Sequence, residues 1–303
     1  MELRTLEYFL AVAREESMSG AAEVLHVTQP TLSRQMKALE DELGVTLFQR
    51  TNRSTLLTAD GMHLKQRAEE ILSLLDRTTA ELQAETDLYG DIRIGAAETD
   101  QMRRIVAVMK KVRILQPGIR FRITSGNADD ILFKLEHGLI DFALVMEPFN
   151  KDNYNCLNLP DADAMGLVMR REDPMAAKDF IEPADLRGMP LLVSSRETNR
   201  TIDLISWSAG ALSEEELNII GSYNLIFNAM LIVESGIANA VCIDHLIPEY
   251  EESPLVFRPF HPEVSVRSVF IWKKYHFLTP PAEFFLDALR EDERIKKNQH
   301  GQR

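Results

Sequence analysis

The sequence predicts an α/β protein in which a small helical N-terminal domain precedes a larger body of alternating strands and helices. Three observations carry that expectation. Up to Gly44 the apolar residues recur at helical spacing. From Asp91 onward, β-like runs alternate with helical segments, which is βαβ logic and implies a mostly parallel sheet. Between the two regimes lies a single helical stretch from about Ala59 to Asp87. At 303 residues the chain is longer than one typical core and points to two or three domains.

The first helix is LEYFLAVAREE, with Leu6, Phe9, Leu10 and Ala13 on one face. Ser17 or Ser19 caps a short second helix running to about His26. Thr28 caps a third, Pro30 lies in its first turn and Gly44 stops it. Proline is tolerated there because first-turn amides have no intrahelical acceptor to lose. At 100° per residue, Leu32, Met36, Leu39 and Leu43 form the stripe expected to be buried. Pro30, Arg34, Lys37 and Asp41 face the other way, flanked by Thr31 and Ser33. TLFQR and STLLT then flank the turn residues Thr51, Asn52 and Arg53, which reads as a hairpin.

Thr58 caps the long helix. Its inward candidates are Leu64, Ala68, Ile71, Leu75, Thr78 and Leu82, spaced 4, 3, 4, 3, 4. That is the seam of a coiled coil, so pairing between subunits is expected, against the simpler case of packing on its own domain. Beyond it, DIRIGAA, RFRITS and IDFALVM are strands with helices between them. A second round begins near Gly166 with GLVMR, LLVSS, a helix around 199 to 210 and another opening near Asn224. VSVRSVFIWKK looks like a late strand returning to the first lobe, followed by the helix PAEFFLDALREDERIKK. Two lobes with a late return crossing suggest a hinged ligand-binding module.

Net charge is −13, which in bulk argues against nucleic acid. Residues 1–89 alone carry nine Lys and Arg against fifteen Asp and Glu, so DNA binding must depend on where the cations sit. On the third helix Gln29, Thr31, Ser33, Arg34 and Lys37 occupy the first half, and Glu40, Asp41 and Glu42 crowd the last turn. The N-terminal half combines the positive dipole end, free amides, two cations and short hydrogen-bonding side chains. A helix entering the major groove N-terminus first presents that end and keeps the acids away from phosphate. With Arg50 and Arg53 at the hairpin, the pattern is that of a winged helix-turn-helix.

LEYFLAVAREESMSGAAEVLHVTQPTLSRQMKALEDELGVTLFQRT, followed by LTADG, resembles the N-terminal pattern of LysR-type transcriptional regulators, and the resemblance extends over nearly the whole chain. It implies a winged helix-turn-helix over 1–58 and a linker and dimerisation helix over 59–89. A two-lobed effector domain similar to periplasmic binding proteins would fill 90–303, with lobe I from 90–162 and 267–303 and lobe II from 163–266. It also implies a dimer or tetramer on double-stranded promoter DNA, controlled by a small molecule in the cleft; RNA polymerase is a candidate partner. The DNA contacts carried over are Gln29, Pro30, Thr31, Ser33, Arg34 and Lys37, with Arg50 and Arg53 in the wing.

Ligands of open α/β sheets sit beyond the carboxyl ends of strands, where helix N-termini supply amides. That rule selects Ala97-Glu98-Thr99, Ser125-Gly126-Asn127, Ser194-Ser195-Arg196 and Tyr223-Asn224, with Glu147 near the same cleft. Thr99, Ser125, Asn127, Glu147, Ser194, Ser195 and Asn224 are the candidate effector contacts, Thr99 and Asn127 doubling as helix caps. As cleft residues, Glu98 and Glu147 disfavour a simple anion unless Arg196 compensates, and favour an amine or a polyhydroxylated effector; the competing reading, which the sequence favours, makes both of them solvated rim residues.

No catalytic constellation is present, so no enzyme, cofactor or metal is expected. The seven histidines, 26, 63, 137, 245, 261, 276 and 300, lack metal-ligand spacing. Cys156 and Cys242 sit in apolar runs and read as reduced core thiols. With no signal-like start and no span of about 20 apolar residues, a soluble, cytoplasmic protein off the membrane is expected. The competing classes are a solute-binding protein, which would leave the first 90 residues without a job, and an interaction adaptor that no longer binds DNA.

Overall fold

The computed structural model describes residues 1–50, 54–83, 88–195, 203–247, 252–275 and 277–300, with side chains left out at 50, 76, 77, 80–83 and 293–300. Two compact units make up the chain, Met1–Gln83 and Ala84–Arg303.

The first unit contains α1 (Leu3–Glu15), α2 (Met18–Val24), α3 (Gln29–Leu43), β1 (Phe48–Arg50), β2 (Thr55–Leu57) and α4 (Ala59–Gln83). Ser17, and not Ser19, caps α2 by accepting the Gly20 amide at 3.2 Å. The helix stops at Val24, short of the expected His26, which has a left-handed φ of 54°. Thr28 holds the N-cap position of α3 without capping it, because its hydroxyl is hydrogen-bonded to that of Thr31 at 2.8 Å. Gly44 ends α3 with φ 70°, a conformation that costs glycine little, and donates its amide to the Glu40 carbonyl.

Leu32, Met36 and Leu39 are buried with Phe9, Val12 and Leu47 in one core. Leu43 departs from the expected stripe: it is 40% exposed, because the core beneath α3 ends at Leu39 and the chain turns away at Gly44. β1 and β2 pair antiparallel, Phe48 opposite Leu57 and Arg50 opposite Thr55, which forms the expected hairpin. Thr58 accepts the Gly61 amide at 3.0 Å and so starts α4. At Gly61 a Cβ would run into the Leu47 carbonyl oxygen, which gives the glycine of LTADG a packing reason.

The expected seam along α4 splits. Ala68 has no exposed surface and lies in the first unit's own core, with the half-buried Leu64 packed against it. Ile71 and Leu75 are each 38% exposed, Leu74 is 59% exposed and Thr78 is exposed. The Leu82 side chain lies outside the described residues. A stripe of one spacing thus serves the chain's own domain over its first turns and faces outward beyond them.

The second unit is built from β3 (Gly90–Ala96), α5 (Met102–Leu115), β4 (Ile119–Ser125), α6 (Ala128–Glu136), β5 (Phe142–Met146), β6 (Tyr154–Arg170), β7 (Pro190–Ser194), α7 (Leu204–Trp207), β8 (Asn218–Tyr223), α8 (Ile226–Glu234), β9 (Asn239–Ile243), β10 (Leu255–Pro259), β11 (Ser265–Lys273) and α9 (Pro280–His300). The strands run in the order β4-β3-β5-β11-β6-β9-β7-β8, with β10 also on β6. β3, β4 and β5 are parallel, as are β7, β8 and β9.

The crossing strands correct the expectation of a mostly parallel sheet. β11 is antiparallel to β5 and β6, and β6 is antiparallel to β9 and β10. The second round does not start at Gly166 either: β6 is continuous for 17 residues from Tyr154. β11 returns to the first lobe as expected, and its ladder with β6 shifts register between Arg267 and Val269. Positions 162/163 and 266/267, the expected lobe limits, therefore fall inside strands.

One core gathers Ile92, Ile94, Phe142, Phe270 and Phe285 between the sheet and helices α5 and α9. A second holds Leu167, Met169, Leu191 and Phe260 in the other lobe. Each such side chain contributes about 1.5–3 kcal/mol on leaving water. Cys242 is buried as expected, but Cys156 is exposed, since alternation along β6 turns it away from the side that buries Leu159. Among the described residues no helix is long and apolar enough to cross a membrane.

Candidate functional site

Two surfaces carry the candidate functional residues, one in each unit. In the first unit, burial of Leu32, Met36 and Leu39 fixes the roll of α3 and turns the opposite face outward. Gln29, Pro30, Thr31, Arg34 and Lys37 are all exposed on it, and Ser33 is half-buried at its edge. Lys37 is paired with Asp41, 2.9 Å away and one turn on, so its charge is partly offset within the helix. Arg50 lies in β1, its side chain outside the described residues, as is Arg53.

The acidic end of α3 does more than sequence spacing indicated. Glu40 Oε1 accepts the backbone amides of Leu47 at 2.8 Å and Phe48 at 3.2 Å, fixing the start of the hairpin against the helix. Asp41 and Glu42 remain exposed. An acid spent on hairpin amides was missed because its partners lie seven and eight residues on, beyond helical periodicity.

In the second unit a cavity of about 430 Å³ opens between the lobes. Its walls are Met146, Met165, Val193, Leu204, Ile205, Leu217, Ile219, Ile226, Val241 and Leu246, and its polar lining includes Glu98, Asn127, Ser194, Asp203, Glu214, Tyr223 and Asn224. Of the expected contacts, Asn127, Ser194 and Asn224 are brought together here. Asn127 lines the cavity and also caps α6, accepting the Asp130 amide at 2.9 Å. Asn224 accepts the Leu225 amide at the entry to α8.

Four expected contacts do not line the cavity. Ser125 ends the edge strand β4 and is exposed elsewhere. Ser195 donates its amide to the Tyr223 carbonyl, tying β7 to β8. Glu147 pairs with Lys151. Thr99 is only 6% exposed and belongs to a buried polar cluster. Its hydroxyl donates to Asp163 Oδ2 at 2.6 Å, Gln101 Nε2 reaches Asp163 Oδ1 at 3.3 Å and Ser268 lies 3.3 Å from Thr99. Nor does Thr99 cap α5, which begins after Gln101; its hydroxyl oxygen instead accepts the Gln101 amide. Arg196 lies outside the described residues.

The walls from the crossing strand β6 and from β9, including Met165 and Val241, were not foreseen. The rule of strand carboxyl ends selects loops and passes over residues in the middle of a strand. Glu98 reaches across the opening: its Oε2 accepts the Ile226 amide, the first of α8, at 2.6 Å. Tyr223 donates its hydroxyl to the Val241 carbonyl at 2.6 Å, and burial, with the charge of Glu98 adding to it, pushes its phenol well above the ordinary value. Burial likewise holds the Cys242 thiol neutral. Among the described residues no cluster of His, Cys, Asp and Glu is arranged to hold a metal ion.

Comparison with known proteins bears on both surfaces. Residues 3–62 match the family model described as bacterial regulatory helix-turn-helix protein, lysR family, and residues 86–294 match the LysR substrate binding domain. The chain is 28% identical to the Hca operon transcriptional activator HcaR of Escherichia coli (strain K12), over 96% of this chain and 98% of that protein. It is 27% identical to the HTH-type transcriptional regulator BsdA of Bacillus subtilis (strain 168), over 95% and 99%. Its fold is similar to that of full-length CbnR in complex with target DNA, with a TM-score of 0.72 at 24% identity, covering 96% of this chain and 99% of that one. An exposed recognition helix with its hairpin in one unit and a two-lobed cavity in the other thus meet in one assignment: the chain belongs to the LysR family, DNA-binding transcriptional regulators with an effector-binding domain.

Proposed function

We propose that the protein reads a promoter with the N-terminal half of α3 in the major groove, the β1–β2 hairpin lying beside it, and that a small molecule in the lobe cavity alters this binding. The observation that carries the first part is the exposure of Gln29, Pro30, Thr31 and Arg34 on the face opposite the buried leucines. Gln29 and Thr31 contact base edges, Pro30 meets a thymine methyl, and Ser33 and Arg34 take phosphate or base. Lys37 adds a weaker phosphate contact because Asp41 competes for it. The protein acts in the cytoplasm, without catalysis, as a dimer or tetramer paired through the outward part of α4.

The test is Arg34→Ala in a gel-shift assay on DNA upstream of the protein's own gene. Loss of one base contact is expected to weaken binding about tenfold and to relax discrimination at one position. Unchanged affinity and specificity at moderate salt would remove Arg34 from the interface.

A further inference from the structure

We propose that the cavity takes an apolar small molecule bearing one cationic nitrogen head, an ammonium or amidinium, and that Glu98 receives that head. This rests on the second unit being a ligand-binding domain, and it deepens that reading by naming the ligand's chemistry. The cavity's size, about 430 Å³, suits one small organic molecule. Its walls of methionine, leucine, isoleucine and valine call for an apolar body.

Among the described residues the charged lining is of one sign. Glu98, Asp203 and Glu214 are all acids, and the described lining residues include no Lys, Arg or His. An anion entering this space would have to find its welcome at helix N-termini, and those of α6, α7 and α8, which all contribute to the lining, are already served by the chain, α7 by Asp203, which accepts the Ile205 amide. Asn127 caps α6, whose first turn also carries Asp129 and Asp130. The cap position of α8 is Leu225, which has no side-chain acceptor to offer, and Glu98 supplies one to Ile226 from the opposite lobe. A carboxylate of the protein thus holds the place that a ligand carboxylate would seek, and a second negative charge beside it would be repelled.

Glu98 keeps capacity to spare. An ionised carboxylate accepts about four hydrogen bonds, and the Ile226 amide uses one. A cationic N–H group seated there completes the carboxylate's shell while its apolar body lies along Met165 and Val241. Because Glu98 also joins the two lobes, a ligand gripping it bears directly on the contact between them.

The experiment is calorimetric titration of the full-length protein with three matched probes: 2-phenylethylamine, 2-phenylethanol and 3-phenylpropanoate. The amine is expected to bind at least tenfold more tightly than the carboxylate. Glu98→Gln retains an oxygen for the Ile226 amide but loses the charge, and is expected to weaken the amine about tenfold while leaving the alcohol within twofold. Tighter binding of the carboxylate, or an amine affinity indifferent to Glu98→Gln, overturns the proposal and leaves the ligand-binding domain standing. Silence from all three probes at millimolar concentration counts against the cavity as a ligand site and takes the proposal with it.

Discussion

Glu40, on the last turns of α3, accepts the Leu47 amide at 2.8 Å and thereby sets the hairpin's origin by the recognition helix itself. Glu40→Ala leaves two part-buried amides without their acceptor. Loss of a charged acceptor of this kind costs about 1–3 kcal/mol. A lower melting temperature is expected, together with weaker DNA binding in the folded variant, since the hairpin loses its tie to α3. Thermal unfolding followed by a gel shift at 25 °C checks both; an unchanged melting temperature would refute the tie.

Lys37 and Asp41 form an exposed pair, which contributes little to stability, within about 0.5 kcal/mol. Asp41→Asn removes a competitor for Lys37 on the exposed face of α3 that is proposed to meet DNA. The expected result is unchanged thermal stability with tighter and more salt-sensitive DNA binding, the slope of log K against log[salt] growing by up to about 1. Binding measured over a salt series decides it.

Ile71 and Leu75 are the part of the α4 stripe not used by the chain's own core. Replacing both by Glu is expected to lower the oligomeric mass in light scattering while leaving the far-ultraviolet circular dichroism unchanged. The same double change at Leu64 and Ala68 should unfold the first unit instead. If Ile71 and Leu75 variants keep the wild-type mass, subunits pair elsewhere.

Asp91 begins the parallel core of the second unit. Burial pushes its carboxyl upward, but hydrogen bonds from Arg122 and Arg120 outweigh this and hold it below its ordinary value of 3.8. A lowered carboxyl in the folded state adds stability above pH 3.8, and that contribution disappears as pH falls through the lowered value. Asp91→Asn is therefore expected to reduce the melting temperature at pH 7, with the gap to wild type closing on acidification below about pH 4. A gap independent of pH would show that packing, and not charge, sets the effect.

What could be foreseen from sequence followed the range of each signal. Pro30, Gly44 and the leucines of α3 act within a turn or two, and the helix they predict is the one observed. Leu43 and Glu40 depend on where the hairpin lies, which no local period encodes. A stripe such as Leu64–Ala68–Ile71–Leu75 looks the same whether its partner is the same domain or another chain. In the cavity, the end-of-strand rule located Asn127, Ser194 and Asn224 but also chose Thr99, whose side chain turns inward to Asp163. Met165 and Val241 became lining only because a strand of one lobe continues into the other, a property of topology.

That continuity bears on how the two lobes can move. Both passages between them are ribbons of paired backbone, β6 outward and β11 back, with Thr99 and Ser268 gathered around Asp163 at the crossing. The two lobes are thus joined by hydrogen-bonded strands, and the ladder between them is interrupted at one place, the register shift between Arg267 and Val269. Any change in the angle between the lobes therefore has to bend this paired ladder.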